Sequence, residues 1–366
     1  MGIDICYVVN SVSETSVPAT LGTALVDHEN VNVDILAWFD AEPFASDDRV
    51  GLSCINAPKT RSGIDRRTLQ RVNKKLQRYD IIQTHTNHSG AFAKLIGAKH
   101  GIPLVSREGN TRDGFTREGR IANGITNGLA DRIVPNSRAV YESFTRWERL
   151  LIDDRDVKII PNGVNLDWID RAASSDYDIY EEFNIPEHAI VVGTASVMTE
   201  QKAYDTLVHG LATTNDRTDR RVDLVIVGDG PRRSDIETII QRLGINECVH
   251  FAGMVDRNMV YQILGETDIY VMPSRWEGFA NAAVEALGAR NPCVFSDIDP
   301  FLYPYRNVAL FHRVDDRHNI ADRLVELTES SNLRDFYARR GRKLVEEKYT
   351  TERVAREYAE LYDDLI

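Results

Sequence analysis

The chain has 366 residues with 42% hydrophobic content, which suits two domains of ordinary size better than a single core. Its formal net charge of -12 argues against a general nucleic-acid binder, because such proteins hold phosphates through clustered cations. We therefore expect no nucleic-acid partner.

The cysteines are spread over predicted strands and a loop, with no C-x-x-C pair and no histidine cluster beside them: Cys6, Cys54, Cys248 and Cys293. We expect them to be reduced and mostly buried, and we predict neither a metal site nor a redox site. The sequence runs from Met1 directly into the strand-like segment IDICYVV, without the pattern of a secretory leader. No apolar segment reaches the roughly 20 residues that span a bilayer. A cytoplasmic protein is the simplest expectation.

Short apolar segments alternate with amphipathic helical segments, a pattern typical of parallel sheets covered by helices. The strand candidates of the first half are IDICYVV, VNVDILAW, DIIQTH, IPLVSR, DRIVPNS and VKIIPNGV. Those of the second half are IVVGTASV, VDLVIVG, CVHFAG, IYVMPS and PCVFSD. The pattern predicts an α/β chain with two Rossmann-like units.

The polar segment PNGVNLDWIDRAASSDYDIYEEFNIPEHA separates the two sets and has the composition of an interdomain connection. We place the boundary near Asn165, with an N-terminal domain at 1–165 and a C-terminal domain at 166–349. The last segment, 350–366, is predicted as a helix with Thr350 or Thr351 near its N-cap. Its apolar spacing fits packing on its own domain and equally a return to the first.

In VDLVIVGDGPRRSDIETIIQRLG, a predicted strand ends just before Gly228 and Gly230, and a helix follows. Two glycines allow a sharp turn and close approach of a ligand, and the helix N-terminus can face an anion. The same pattern is also an ordinary strand-to-helix turn, so both interpretations stay open.

In PSRWEGFANAAVEALGARNPCVFSD, a strand should end near Ser274 and a helix should start between Glu277 and Ala280. Gly278 exposes amide groups there, where a diphosphate could bind against the helix dipole. Within one helix, Glu277 and Glu285 would lie about 12 Å apart along the axis and roughly 80° apart around it. One could contact a sugar and the other a ribose, unlike the opposed carboxyl pair of a hydrolase. Alternatively, Glu277 only complements the dipole, and Glu285 is a solvated or salt-bridged residue.

The segments PNGV, TEQKAYDTL, VGDGP, CVHFAGMV and PSRWEGFANAAVEA, in this order and spacing, resemble the retaining nucleotide-sugar glycosyltransferases of family 4. The resemblance covers nearly the whole chain and is strongest between Val191 and Asp297. It implies the GT-B architecture, in which the parallel sheets of two Rossmann-like domains face each other across a cleft. It also implies a nucleotide-diphosphate sugar as donor on the second domain, no metal, no further cofactor, and retention of anomeric configuration.

The resemblance assigns roles to three charged residues of the second half. Glu277 matches the glutamate near the donor sugar, and Glu285 matches the one that hydrogen-bonds the ribose hydroxyls. Lys202 matches a lysine on the donor diphosphate, and a metal-free site needs such a cation to neutralise the leaving group. The resemblance places the nucleotide base on the backbone around Met254 and Val255. It places the distal phosphate on four successive amides, those of Gly278, Phe279, Ala280 and Asn281.

Two positions depart from the family pattern. The family has an arginine five residues before the lysine, where this chain has Val197, and a glycine after the lysine, where this chain has Ala203. The site thus has one cation fewer, unless Arg232, Arg275 or an arginine of the first domain replaces it.

In the first half, DIIQTHTNHSGAF predicts a strand that ends near Thr84 and presents His85 and His88 at the edge of the sheet. His85 matches the family histidine near the transferred sugar, which implies a positioning or hydrogen-bonding role. His88 could instead contact the acceptor. The first loop, NSVSETSVPATLG, lacks the family's glycine pair and has Thr15 and Ser16 at about that position.

Two basic segments of the first half suggest anionic partners. The segment REGNTRDGFTREGR predicts a flexible loop that could recognise an anionic acceptor through Arg107, Arg112, Arg117 and Arg120. Alternatively, it is a solvated loop balanced by Glu108, Asp113 and Glu118. The segment RRTLQRVNKKLQRYD predicts an amphipathic helix with Leu69, Val72 and Leu76 on one face and six cations elsewhere. That helix could dock on an anionic membrane at the inner face of the cell, or its basic face is simply solvated.

Together these features predict transfer of a hexose-type sugar, with retention, from a nucleotide-diphosphate sugar to a glycan or lipid-linked acceptor. A nucleotide-sugar epimerase of the same architecture is one alternative. A non-catalytic, donor-binding partner of another transferase is a second, suggested by Val197 and the missing glycine pair.

Overall fold

The computed structural model describes residues 2–28, 30–42, 48–58, 65–85 and 88–366, except for the side chain of His88. The chain forms two compact units. Unit 1 contains Met1–Gly163 and Thr351–Ile366, and unit 2 contains Val164–Thr350.

Unit 1 is built on a six-stranded parallel sheet with the strand order β3-β2-β1-β4-β5-β6. Its strands are β1 (Ile3–Val12), β2 (Val31–Ala41), β3 (Gly51–Cys54), β4 (Ile81–His85), β5 (Leu104–Glu108) and β6 (Arg132–Pro135). Its first helices are α1 (Val17–Leu25), α2 (Arg66–Leu76), α3 (His88–His100), α4 (Arg117–Asn127), α5 (Arg138–Glu142) and α6 (Arg146–Arg149).

Strand β1 shows why this sheet is covered on both faces. Because side chains alternate along a strand, Ile5 and Tyr7 lie in the core that includes α1, whereas Cys6 and Val8 lie in the core that includes α2. Both sets are fully or almost fully buried. A strand of this kind is apolar almost throughout, which is why β1 is readily predicted from sequence.

Unit 2 repeats the topology with the strand order β12-β11-β10-β7-β8-β9, again parallel. Its strands are β7 (Ile190–Ala195), β8 (Val222–Val227), β9 (Val249–Gly253), β10 (Ile269–Met272), β11 (Cys293–Ser296) and β12 (Leu310–His312). Its helices are α7 (Leu166–Ala173), α8 (Ile179–Phe183), α9 (Tyr204–Asn215), α10 (Arg233–Leu243), α11 (Arg257–Gly265), α12 (Asn281–Gly288), α13 (Asp299–Tyr305), α14 (Arg317–Glu329) and α15 (Ser331–Lys348). Both strand orders are the doubly wound order of Rossmann folds, which confirms the predicted fold class.

The last helix, α16 (Thr351–Asp363), belongs to unit 1. Its residues Val354, Tyr358 and Tyr362 are buried in the same core as Tyr7 of β1. The Oη atoms of Tyr362 and Tyr7 are 3.0 Å apart. Of the two placements that the apolar spacing allowed, the structure has the return to the first unit.

The structure differs from the sequence-based prediction in three places. The segment VKIIPNGV is not a strand, because it forms only isolated bridges, Ile133 with Val157 and Val164 with Thr350. Strands β3 and β12 were missed, since edge strands of four and three residues leave almost no periodic signal. The predicted interdomain connection contains helices α7 and α8, and its residues Ile169 and Ile179 are fully buried in unit 2. That segment is therefore part of a folded unit.

Across the described ranges, no helix combines the length and the apolar character needed to cross a bilayer.

Candidate functional site

The winding of each sheet reverses beside its first strand. In unit 2, β8 and β9 follow on one side of β7, and β10 then pairs with the other side of β7. Open α/β sheets bind ligands in the crevice outside the carboxyl ends of the strands at such a switch point. In unit 2 the segments that leave this point are 196–203 after β7 and 273–280 after β10.

Lys202 and Glu277 meet at this switch point. Lys202 Nζ donates to Glu277 Oε1 at 2.5 Å, although the residues are 75 positions apart in sequence. Only 8% of Glu277 is exposed, so the pair is largely removed from water, where a charge-assisted hydrogen bond is strong. The structure thus brings together two of the predicted site residues.

Further hydrogen bonds fix the two segments to each other. The backbone N–H of Arg275 donates to the carbonyl of Gln201 at 2.8 Å, and Gln201 Nε2 donates to the carbonyl of Trp276 at 2.7 Å. The guanidinium of Arg275 also contacts Asp205 at 2.9 Å and Asp315 at 2.8 Å. The position of Lys202 relative to Glu277 is therefore set by backbone contacts as well as by their own ion pair.

The two named replacements for the missing arginine are already engaged in ion pairs. Arg275 contacts Glu200 in addition to its two aspartates, and Arg232 pairs with Glu200 and Asp235. Val197, at the position where the family has arginine, is about half exposed. Within unit 2, neither Arg232 nor Arg275 offers an unpaired guanidinium in place of that residue.

Gly228 and Gly230 allow unit 2 to pack closely on itself. A Cβ on Gly228, whose φ is +120°, would lie 2.2 Å from the carbonyl oxygen of Ser196. A Cβ on Gly230 would lie 2.6 Å from both the N and the O of Met198. The backbone N–H of Met198 also donates to Asp229 at 2.9 Å. This packing accounts for both glycines, as the strand-to-helix interpretation expects, and their role in ligand binding stays a prediction.

Helix α12 begins at Asn281, with Ala280 as its N-cap, which is later than predicted. Glu277 therefore lies in the preceding segment, and the helical separation from Glu285 estimated from sequence is wrong. Gly278 and Phe279 belong to the same segment, and the ring of Phe279 packs against Tyr349 with centroids 6.2 Å apart. The amide-bearing segment predicted for a phosphate thus runs into the helix start instead of forming its first turn.

Glu285 is only 5% exposed and pairs with Arg257, so of the alternative that described a solvated or salt-bridged residue, the structure has the salt bridge. Arg257 Nη1 donates to its Oε1 at 2.7 Å and to its Oε2 at 2.9 Å, and Tyr261 Oη donates to Oε1 at 3.3 Å. Burial raises the pKa of Glu285, and Arg257 and Tyr261 oppose that shift. Arg257 was missed from sequence, because an arginine at a helix start is usually a surface residue. Its place directly after the predicted base-binding segment was the only available signal.

The two residues predicted to receive the base lie just before Arg257. Met254 is 72% exposed, whereas Val255 packs at the edge of the core that includes Val227 and Ile263. Asp256 caps α11 by accepting from the N–H of Met259 at 2.8 Å. The segment between β9 and α11 therefore presents an exposed side chain next to a fixed backbone.

In unit 1, His85 ends β4, which pairs with β1 at the equivalent switch point. It is 5% exposed, its ring lies 5.2 Å from that of Tyr7, and its Nε2 lies 3.3 Å from Gln83 Nε2. Burial, and then the positive charge of Arg107, lowers the pKa of His85 well below its usual range. The imidazole is therefore neutral at pH 7. The side chain of His88 lies outside the described residues.

The first loop of unit 1 turns without a glycine pair. Ser16 is the N-cap of α1, and its hydroxyl donates to the carbonyl of Ser13 at 2.6 Å. A proline stands in the first turn of α1, where its missing N–H does no harm. Thr15, immediately before the cap, belongs to the turn.

Two of the four arginines predicted in a flexible loop are buried structural residues, which corrects both sequence-based interpretations of that loop. Arg107 lies in β5, and its guanidinium donates a hydrogen bond to Asn162. Arg112 pairs with Glu108 and Glu148, both fully buried, at 2.7 Å each. Only the second part of the segment, with Arg117 exposed at the start of α4, presents a cation freely to solvent.

Helix α2 forms as predicted and has one strongly basic face. Asp65 caps it by accepting from the N–H of Thr68 at 2.6 Å, while Val72 and Leu76 are fully buried in unit 1. The cations that are exposed within the helix are Arg66, Arg67, Arg71 and Lys74. The geometry is compatible with a membrane surface and with a solvated face.

Comparisons with known proteins agree with the two-unit architecture. Residues 17–168 match the family described as Glycosyltransferase Family 4, and residues 177–344 match Glycosyl transferases group 1. The O-antigen biosynthesis glycosyltransferase WclY of Escherichia coli is 22% identical over 207 residues, which are 57% of this chain and 55% of that protein. The UDP-Gal:alpha-D-GlcNAc-diphosphoundecaprenol alpha-1,3-galactosyltransferase of Escherichia coli is 25% identical over 62% of this chain and 59% of that protein. The chain thus spans little more than half the length of these curated relatives.

The solved structure of HepE from Anabaena, in complex with UDP and glucose, has the same fold. It superposes with a TM-score of 0.79 at 16% identity and covers 99% of this chain and 100% of that one. With two family matches that together cover most of its length and this shared fold, the chain belongs to the group 1 glycosyltransferases of GT-B architecture.

Proposed function

We propose that this chain transfers a hexose-type sugar, with retention and without a metal, from a nucleotide-diphosphate sugar to a glycan or lipid-linked acceptor. The main support is the contact of Lys202 with Glu277 at the switch point of unit 2. The structural relative HepE was solved with UDP and glucose, and one curated relative is named for transfer from UDP-Gal to a diphosphoundecaprenol-linked acceptor.

In this mechanism Lys202 stabilises the departing diphosphate. A lysine ammonium has three N–H donors, and Glu277 uses one of them at 2.5 Å, so two remain for phosphate oxygens. The amides of the segment from Gly278 to Asn281 add donors at the start of α12, where the helix dipole favours negative charge. These groups together supply the positive charge that the leaving group needs in a site without a metal.

Glu277 orients the sugar, and the acceptor hydroxyl attacks the anomeric carbon from the face that the diphosphate leaves. The new C–O bond forms as the bond to the phosphate oxygen breaks, and a leaving phosphate oxygen accepts the hydroxyl proton. His85 hydrogen-bonds the transferred sugar. Configuration is retained because attack and departure use the same face.

Glu285 is proposed to hold the ribose hydroxyls. Its two oxygens offer about four acceptor positions, of which Arg257 and Tyr261 occupy three in the structure. Arg257 keeps the buried carboxylate charged, since burial alone favours the neutral acid. A charged carboxylate accepts from a hydroxyl more strongly than a neutral one. Met254 and Val255 are proposed to border the base.

The proposed function is tested by thermal-shift screening against UDP-, GDP- and ADP-sugars, followed by transfer assays with the donor that binds. Lys202→Ala and Glu277→Gln should each lower turnover by about 100-fold or more, the scale seen when one transition-state donor is removed. Lys343→Ala is the matched control, because that lysine is in the same unit and is mostly exposed. Near-normal transfer by the two site variants contradicts the proposal.

We also propose that the basic face of α2 holds the protein peripherally on an anionic membrane at the inner face of the cell. Flotation with vesicles of phosphatidylglycerol and phosphatidylcholine should retain the wild-type chain at low salt and release it at high salt. Replacing Arg66, Arg67, Arg71 and Lys74 by glutamine should abolish retention. The matched control removes four exposed cations from α15, those of Arg339, Arg340, Lys343 and Lys348. No flotation of the wild type, or equal loss in both variants, refutes the membrane role of α2.

A non-catalytic donor-binding function is the second candidate, and one observation favours it. Val197 removes the family's arginine, and Arg232 and Arg275 are held by carboxylates. Such a protein would bind a nucleotide sugar without breaking it. Any measurable hydrolysis or transfer by the wild type that Lys202→Ala abolishes would exclude this candidate.

A further inference from the structure

A network of four buried side chains connects the last helix to His85. Gln83 and His85 are two residues apart on β4, so they share a face of the sheet, and Tyr7 lies beside Gln83 on β1. Tyr362 of α16 packs on that same face. Gln83, Tyr7 and Tyr362 are completely buried. Each polar contact among them is therefore made in a medium where unmatched donors and acceptors are costly.

The hydrogen bonds of this network all run in one direction, from the tyrosines to the histidine. Tyr362 Oη donates to Gln83 Oε1 at 2.7 Å, which fixes the amide oxygen of Gln83 on the side of Tyr362. Because the Tyr362 proton is used there, its oxygen accepts from Tyr7 Oη at 3.0 Å. The NH2 group of Gln83 then faces His85, with Nε2 to Nε2 at 3.3 Å.

This direction determines the tautomer of His85. An amide NH2 group can only donate, so Nε2 of His85 must accept. A neutral imidazole that accepts at one nitrogen carries its proton on the other. The remaining proton of His85 is thus on Nδ1, which is buried and has no hydrogen-bond partner among the described residues.

We propose that Tyr362, acting through Gln83, is a positioning residue that holds neutral His85 in the Nδ1–H tautomer, with Nε2 as the acceptor. That this tautomer matters for sugar transfer rests on the proposed function, whereas the tautomer itself does not. The last helix of the chain thereby sets the chemistry of a residue at the carboxyl end of β4.

The reverse network defines what would be seen if the assignment were wrong. If the amide of Gln83 were turned over, its NH2 group would donate to Tyr362 and its oxygen would accept from Nε2–H of His85. Nδ1 would then be an acceptor. The two networks use the same heavy-atom positions but opposite tautomers, so a measurement of the tautomer separates them.

The direct test is a two-bond ¹H–¹⁵N correlation spectrum of the full chain labelled with ¹⁵N-histidine at pH 7, in which the pattern of peaks distinguishes the tautomers. His85→Gln identifies the His85 signals by their disappearance. We expect Nδ1–H in the wild type, and a mixture or inversion in Tyr362→Phe and in Gln83→Met. Tyr358→Phe is the matched control, because Tyr358 is equally buried one helical turn earlier in α16 and should leave the tautomer unchanged.

Two results would overturn the proposal. An Nε2–H tautomer in the wild type rejects the direction of the network without any variant. An unchanged Nδ1–H tautomer in both Tyr362→Phe and Gln83→Met rejects the positioning role.

Kinetics provide a second measurement once a donor is known. If transfer requires the Nδ1–H tautomer, an equal mixture of tautomers halves the competent fraction, so Tyr362→Phe should lower kcat about twofold while Tyr358→Phe does not. A wild type without transfer activity would contradict the proposed function and leave the spectroscopic result intact.

Discussion

Replacing Arg112 by methionine should strongly destabilise unit 1, because this arginine lies between two fully buried carboxylates. Arg112 is 2% exposed and lies 2.7 Å from Glu108 and 2.7 Å from Glu148. Its guanidinium also stacks 4.0 Å from the ring centre of Phe144. Methionine keeps most of the apolar volume but leaves both carboxylates with less compensation. Lys94 then remains as a buried cation that acts on Glu108.

Removing one partner of a buried ion pair typically destabilises by about 3–5 kcal/mol. The lower end applies here, because Glu108 also accepts from Asn123 and Asn127 at 2.9 Å, and Glu148 accepts from the backbone N–H of Thr145 at 2.7 Å. A loss of about 3 kcal/mol corresponds to a drop of roughly 6–12 °C in the midpoint of a unit of this size.

The assay is hydrogen exchange of the amides in β5 and α4, since a single melting curve of a two-unit chain does not isolate unit 1. Arg117→Met is the matched control, because Arg117 is exposed at the start of α4 and should change stability by less than about 0.5 kcal/mol. The double variant Arg112→Met/Glu148→Gln should recover part of the loss, since it removes one of the uncompensated charges. Equal protection in Arg112→Met and Arg117→Met would refute the reasoning.

Three further predictions follow from single contacts. Burial lowers the pKa of Lys94 to about 8, so this lysine binds its proton more tightly in the unfolded protein than in the folded one. Relative to Lys94→Met, the free energy of unfolding of the wild type should therefore rise between about pH 8 and pH 10.4, which urea unfolding at both ends of that window would show. Arg257→Leu should weaken binding of the best nucleotide diphosphate about tenfold by calorimetry, because Glu285 then favours its neutral form. Arg242→Leu is the control, since Arg242 is exposed, and equal affinities of the two variants would contradict the prediction. Gly228→Ala should lower the unfolding midpoint of unit 2 more than Gly230→Ala does, because a Cβ on Gly228 would lie 2.2 Å from the Ser196 carbonyl oxygen and the φ of Gly228 is positive. The reverse order of the two midpoints would contradict the packing role of these glycines.

The strands that the sequence identified are those buried on both faces. Strands such as β1 and β8 are apolar along almost their whole length, because helices cover both sides of the sheet. The short edge strands β3 and β12 lack that signal. The sequence did not determine which unit α16 packs on, for a different reason. Its residues Val354, Tyr358 and Tyr362 form an apolar face that would suit either unit. Helical periodicity identifies the buried face and not its partner.

The site was predictable to the extent that motifs specify it. Lys202 and Glu277 were paired through the family pattern, since nothing local links residues 75 positions apart. Arg112 was misassigned because its partner Glu148 is distant in sequence, and an arginine in a polar segment looks solvated. Arg257 was missed for the same reason, since its partner Glu285 lies on another helix. Sequence patterns therefore located the charged residues, while burial determined which of them are structural.

The positions of the site residues follow from a topology that occurs twice in the chain. His85 is the last residue of the fourth strand of unit 1, and Glu277 lies in the segment that follows the fourth strand of unit 2. The two positions are topologically equivalent, but different contacts hold their side chains. Glu277 is held by Lys202 from the segment after the first strand, whereas His85 is held through Gln83 by the helix that ends the chain. A change in α16 should therefore alter His85 and leave the Lys202 contact intact. The sheets fix where the candidate site residues lie, and the elements packed around each sheet hold their side chains in place.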